Sequence, residues 1–205
     1  MLRALRTALD RRRHGDGDWK ELFEPYSGDE IVSLDCETSG LDPKKDAIIS
    51  VGAVRVQGCR ILTSEALDIK LVPPEVLDPE SVTVHRLRKL DLEGGISVDE
   101  AMTRVLEFVG NRPILGYHVA FDAAMLNQQV SRLFGFRLPN RCIELAEVYL
   151  KRWGRPDSGL EADLRLETIA ARLGMPVPRG RHTALMDAVF TAALYVRLLH
   201  GQRNR

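Results

Sequence analysis

Cysteine is scarce in this chain: three in 205 residues, at Cys36, Cys59 and Cys142. The number is odd and no two form a Cys-x-x-Cys pair. That argues against a disulfide framework and a zinc site, and fits a reducing, cytoplasmic setting. Long apolar runs are missing as well. None approaches the length of a membrane span, and no apolar signal-peptide core follows Met1. Net charge is absent too, Lys+Arg and Asp+Glu each numbering 29. A coat of basic surface for a polyanion is thereby set aside, while a small local nucleic-acid site is not. There is no internal repeat and no low-complexity segment. What remains, 44% hydrophobic and 28% charged residues, is ordinary globular composition, enough for one sizeable domain plus decoration.

Residues 1–29 stand apart as a basic extension. Leu2, Leu5 and Leu9 recur at helical spacing among Arg3, Arg6, Arg11, Arg12 and Arg13, and Gly15 and Gly17 break the pattern. Such a helix can dock on its own domain, fray as a tail, or contact phosphate or a partner, and an organelle presequence shares its composition. From residue 30 the pattern is one of strands. Ile31 to Cys36 and Ala47 to Val56 are the first two, Gln57-Gly58 is a turn, and Ile61 to Val72 is the third, giving an antiparallel meander. Ser97-Val-Asp-Glu100 is a capping box ahead of the stripe Ala101, Met102, Val105, Leu106 and Val109. A short strand is expected at Pro113 to Tyr117, a helix from Asp122 to Phe134, a brief strand at Arg141 to Ile143, and a helix from Leu145 to Trp153. A helical stripe at Leu166, Ile169, Ala170 and Leu173 follows, then a mostly apolar last helix from about Ala184 to Leu199. The order predicts an α/β domain over residues 30–200 with a tail at 201–205. Its mixed sheet has about five strands, three antiparallel and then parallel, flanked by helices.

Five positions carry the chemistry. On a strand, residues two apart share a face, so Asp35 and Glu37 emerge side by side with Ile31 and Ser33, while Cys36 points to the core. Like charges so close raise each other's pKa, a conflict that a divalent cation removes. Thr38-Ser39-Gly40-Leu41 follows as a turn whose N–H groups can also approach a phosphate. Asp122 is expected in the first turn of its helix, where an acid caps. The neighbouring Phe121 offers an apolar face for a base or for the core. His182 and Asp187 are five apart, about 140° around one helix. They converge only if His182 lies on the loop before the last helix, with Thr183 as the cap. Asp187 among apolar neighbours calls for a metal or a cation such as Arg181. Four carboxylates without sulfur ligands suit Mg²⁺ or Mn²⁺. Two such ions can clamp a phosphodiester, and His182 can take a proton from the attacking water.

These residues resemble the motifs of the DEDDh 3′–5′ exonucleases, a group with the ribonuclease H-like fold that includes the proofreading epsilon subunit of bacterial DNA polymerase III and ribonuclease T. Asp-x-Glu-Thr-Thr/Ser-Gly is matched by Asp35 to Gly40, and His-x-Ala-x-x-Asp by His182 to Asp187. The middle motif, usually His-Asn-x-x-Phe-Asp, reads Tyr117-His118-Val119-Ala120-Phe121-Asp122, so only its end matches. The resemblance spans roughly residues 31–199. It implies that Asp35, Glu37, Asp122 and Asp187 hold two Mg²⁺ or Mn²⁺ ions and that His182 is the general base. It implies substrate contacts at Thr38, Ser39, Leu41 and Phe121. His118 is a phosphate contact or a structural histidine, and Val84-His85 resembles a segment of polymerase-linked members. The activity implied is removal of nucleoside 5′-monophosphates from the 3′ end of single-stranded nucleic acid, read as DNA, in proofreading, repair or end trimming, with a DNA polymerase subunit as a candidate partner. The alternatives are an accessory polymerase-associated or nucleic-acid-binding subunit, and an RNA-trimming exoribonuclease.

Overall fold

The computed structural model describes residues 2–72, 94–153, 163–178 and 183–201. Its centre is strand β1 (Glu30–Thr38), paired antiparallel with β2 (Ile48–Gln57) from Glu30↔Gln57 to Thr38↔Ile48, with a bulge between Glu37 and Thr38. On the other side β1 pairs parallel with β5 (Ile114–Gly116), which pairs parallel with β6 (Cys142–Glu144). The expected third strand is not continuous. It splits into β3 (Arg60–Ile61) and β4 (Leu67–Lys70), both on the outer edge of β2, with a 3-10 turn at Thr63–Glu65 between them. The polar run Thr63-Ser64-Glu65 has no apolar face to place on the sheet, so the edge strand lifts off there.

Six α-helices surround this mixed sheet among the described residues. Helix α1 is Leu2–His14, α2 Val98–Val109, α3 Val119–Phe134, α4 Leu145–Trp153, α5 Leu166–Arg172 and α6 Ala184–His200. The capping box forms as expected: Ser97 accepts from the Glu100 N–H at 3.2 Å. The stripe Ala101, Met102, Val105, Leu106 and Val109 is buried. This stripe, with Met125, Leu126 and Val130 of α3, covers the face of β1 that carries Val32, Leu34 and Cys36. The opposite face is covered by α6. Ala184, Ala188 and Ala192 recur every four residues and are buried, so the helix can lie close on the sheet. Phe190, Leu194 and Leu198 of α6 pack with Leu145, Tyr149 and Ile169 of α4 and α5.

Helix α1 is docked. His14 lies between Phe23 and Phe136, with ring centroids 6.3 and 5.3 Å away, and Trp19 meets Phe134 edge-on at 5.4 Å. No helix of the described residues is long and apolar enough to cross a membrane.

Candidate active site

Strand alternation brings Asp35 and Glu37 to one face at the end of β1, opposite Gly52 and Ser50 of β2. That face is the one under α6, and α6 is fixed there by two contacts. Ser33 donates from its hydroxyl to the Ala188 carbonyl at 2.7 Å, a buried bond. Gly52 leaves room for the helix start: a β-carbon at that position would stand 2.1 Å from the Leu185 nitrogen and 2.2 Å from the Ala184 carbonyl carbon. A glycine inside a strand otherwise rich in Ile and Val marks such an approach of backbone to backbone.

Thr183 caps α6, its hydroxyl accepting from the Met186 N–H at 3.2 Å. The helix therefore starts at Ala184 and Asp187 stands in its first turn, half-buried. The exposed amides of that turn favour its negative charge. Carboxylate oxygens of Asp35, Glu37 and Asp187 all lie within 4.8 Å of one another. His182, Arg181 and His85 fall outside the described residues.

Asp122 is 4% exposed. It does not cap its helix, as the sequence suggested, because α3 begins three residues earlier, at Val119. Its Oδ1 instead accepts the Cys36 N–H at 3.0 Å. Parallel pairing between β1 and β5 reaches only Ser33↔Leu115, and β5 ends at Gly116. The carboxylate satisfies a β1 amide beyond that point. Burial pushes the Asp122 pKa up to about 7, the Cys36 hydrogen bonds opposing and the charge of Glu144 adding to the rise. Asp35 is raised well above the usual carboxylate range, first by burial and then by the charges of Asp122, Glu37 and Asp187. At the end of the sheet Asp122, Glu37 and Asp187 thus all oppose the ionisation of Asp35. Such an all-oxygen, excess-negative set fits a hard divalent cation.

The helix cap comes from a residue that sequence reasoning missed. Glu144, at the end of β6, accepts the N–H groups of His118 at 3.1 Å and Val119 at 3.0 Å. It also accepts from Ala146 at 3.4 Å, at the start of α4. His118 has φ 59° and ψ 34°, the one non-glycine residue with positive φ among those described. Its side chain is exposed, its ring 4.2 Å from that of Tyr117. Tyr117 in turn donates to the Leu164 carbonyl at 3.1 Å. The partner of Glu144 lies 26 residues upstream, so no local pattern could reveal the pairing. Gly52 was readable, as a glycine in a β-branched strand.

The turn after β1 is tied internally. Thr38 donates to the Gly40 carbonyl at 2.7 Å. Ser39 donates to Asp46 at 3.3 Å and accepts from the Ala47 N–H at 2.9 Å. Both residues are buried, whereas Leu41 is 85% exposed at the tip. Phe121 is half-buried against the core on the α2–α3 side.

Residues 32–195 match a family described as Exonuclease. The chain belongs to this exonuclease family. Its relatives include the DNA polymerase III subunit epsilon of Aquifex aeolicus, 32% identical over 177 residues that cover 82% of this chain and 80% of that protein. An oligoribonuclease of Streptomyces coelicolor is 31% identical, covering 78% and 80%. A PolC-type DNA polymerase III of Clostridium perfringens is 30% identical over 81% of this chain, which spans only 11% of that relative's length. The fold is that of E. coli Exonuclease I, solved in complex with a 5cy-dT13 oligonucleotide. The two superpose with a TM-score of 0.68 at 21% identity, over 86% of this chain and 42% of the other. The exonuclease family and the ribonuclease H-like fold are those that the motifs implied.

Proposed function

We propose that this exonuclease-family member is a metal-dependent 3′–5′ exonuclease that hydrolyses the terminal phosphodiester of single-stranded nucleic acid, DNA in the first instance, and releases nucleoside 5′-monophosphates. The observation that carries the reading is the meeting of Asp35, Glu37 and Asp187 within 4.8 Å, beside the buried Asp122. Two of these acids come from a strand end and two from first turns of different helices, so no single local structural need gathers them. Carboxylates gathered this closely repel one another, and a bound divalent cation offsets that repulsion.

In this reading Asp35, Glu37, Asp122 and Asp187 hold Mg²⁺ or Mn²⁺, which when bound supplies Lewis-acid activation of water and neutralises charge at the leaving 3′ oxygen. His182 takes the proton of the attacking water. Leu41, exposed at the turn tip, contacts the terminal nucleotide. Phe121 supports the base or sugar from the edge of the core. The internal bonds of Thr38 and Ser39 hold the turn in place for that contact. Glu144, by capping α3, sets the position of Asp122.

The test follows single-stranded DNA and matched RNA from a 5′ label, with and without Mg²⁺ or Mn²⁺. Ladders that shorten from the 3′ end only with metal present are the expected result, and internal cuts would refute exonuclease action. The likeness to an oligoribonuclease supports a second reading, trimming of short RNA, which faster shortening of the RNA strand would establish. Association with a DNA polymerase, suggested by the epsilon and PolC relatives, is tested by co-purification with a polymerase subunit.

A further inference from the structure

Helix α1 carries Arg3, Arg6, Arg11, Arg12 and Arg13 against a single acid, Asp10, in a chain whose total charge is zero. The structure turns that one acid inward. Asp10 is 6% exposed and accepts from the Arg137 N–H at 3.5 Å. His14 is held against Phe23 and Phe136. The helix is thus fastened by Asp10 and His14, and its arginines are left outside: Arg6, Arg11, Arg12 and Arg13 are exposed. Arg11 makes a loose pair with Glu24 at 3.7 Å. Among the described residues Arg6, Arg12 and Arg13 have no acidic partner. Asp16 and Asp18 follow only after the helix has ended. Arg132 and Arg137, at the far end of α3 where α1 docks, are exposed as well.

We propose that this arginine surface, α1 with the adjoining end of α3, is a second nucleic-acid contact that grips the phosphate backbone of the substrate strand upstream of the 3′ end. The inference rests on the exonuclease reading above, and charge complementarity carries it. The clustered acids repel a polyanion, while Arg6, Arg11, Arg12, Arg13, Arg132 and Arg137 gather as exposed cations at the far end of α3. The span sets the reach. From Asp122 to Gly135 is about 20 Å along α3 at 1.5 Å per residue. At about 3.4 Å per nucleotide of a helically stacked strand that is about six nucleotides, and an extended strand needs fewer. A trinucleotide seated at the acids falls short of α1, and a strand of about 24 nucleotides reaches it.

The experiment uses the full chain and a variant with Arg6→Gln, Arg12→Gln and Arg13→Gln, on dT and U oligomers of three and about 24 nucleotides, between about 50 and 200 mM salt. On the long oligomer, kcat/KM falls about tenfold or more at the low-salt end, and the slope of log kcat/KM against log salt flattens by about two, or about 0.7 per lost phosphate contact. The trinucleotide is cut as by the unaltered chain. A Lys triple variant retains the long-strand preference, since phosphate contacts accept a point charge. Equal losses on both lengths, or none on either, would overturn the proposal. So would a Gln variant that loses adhesion to phosphatidylserine vesicles while its long-oligomer kinetics stay unchanged, because the surface would then be a membrane contact. Fluorescence anisotropy with the same labelled oligomers reads the surface without turnover. A chain that binds the long oligomer through these arginines yet cuts nothing upholds the surface and refutes the exonuclease reading. Equal affinities of the unaltered and Gln chains refute the surface alone.

Discussion

Gly52 is the register partner of Asp35 across the β1–β2 pair, and the space its missing side chain leaves is filled by the backbone of Ala184 and Leu185. One glycine thereby sets how near Asp187 comes to Asp35. Gly52→Ala drives a β-carbon into main chain rather than into a movable side chain. We expect α6 to be displaced, a loss of about 1–3 kcal/mol of stability by overpacking, and a fall in nuclease activity of at least about tenfold, since misplacement by about 1 Å can cost a hundredfold. Denaturant titration and an oligonucleotide assay check both. A Gly52→Ala chain with full activity would show that the approach of α6 does not set the site.

Asp35→Asn and Asp187→Asn abolish activity for a different reason, because each removes a carboxylate from the cluster. Their effect on the metal-free fold has the opposite sign. Neutralising one acid relieves the repulsion that raises the Asp35 pKa, so the melting temperature without metal is unchanged or higher at pH 8. A marked drop would mean that the carboxylate is needed for folding.

The metal-free protein should lose stability as pH rises. The Asp122 pKa is raised to about 7 in the fold, against about 3.9 unfolded. The protonated acid's contribution is complete below about pH 4 and is lost through pH 7. Between pH 5 and pH 8 the melting temperature in chelator therefore falls, about 2–4 °C per kcal/mol at this chain size. Saturating Mn²⁺ should abolish the fall, and its affinity should rise with pH as protons leave the ligands. Thermal scans at both pH values decide it, and a flat or rising chelator curve would contradict the burial argument.

Glu144→Ala strips the cap from α3 and leaves the His118 and Val119 amides unsatisfied. A stability loss of about 0.5–2 kcal/mol is expected. Activity should fall more steeply than stability, with weaker metal dependence, because Asp122 rides on the same turn. Glu144→Gln retains an amide oxygen as acceptor and should recover part of both. Equal activity in the Ala and Gln variants would separate the cap from the site.

Cys36 and Cys59 should differ in reactivity. Cys36 is buried, and burial with the nearby Asp122 and Asp35 charges holds its thiol well above the ordinary range, whereas Cys59 is exposed. Alkylation followed by peptide mapping should label Cys59 in the native protein and Cys36 only after unfolding.

Features encoded locally were legible in the sequence. The alternation at Asp35, Cys36 and Glu37, the Ser97 capping box and the Thr183 cap each depend on residues within a few positions. What escaped was non-local. Asp122 read as a helix cap, but its acceptor is committed to an amide 86 residues away. The cap itself is Glu144, on a strand reached only after α3. The third strand broke because its centre, Thr63 to Glu65, has no side chain to bury, a detail that a count of apolar residues across Ile61 to Val72 conceals.

The acids of the site are spread along the chain, at 35, 37, 122 and 187, with the last on α6. A ribosome-bound chain that has emerged only through β6 contains three of them and a nearly complete sheet, yet lacks the helix that brings the fourth. The nascent polypeptide therefore cannot gather the four acids until α6 has been made and laid over Gly52.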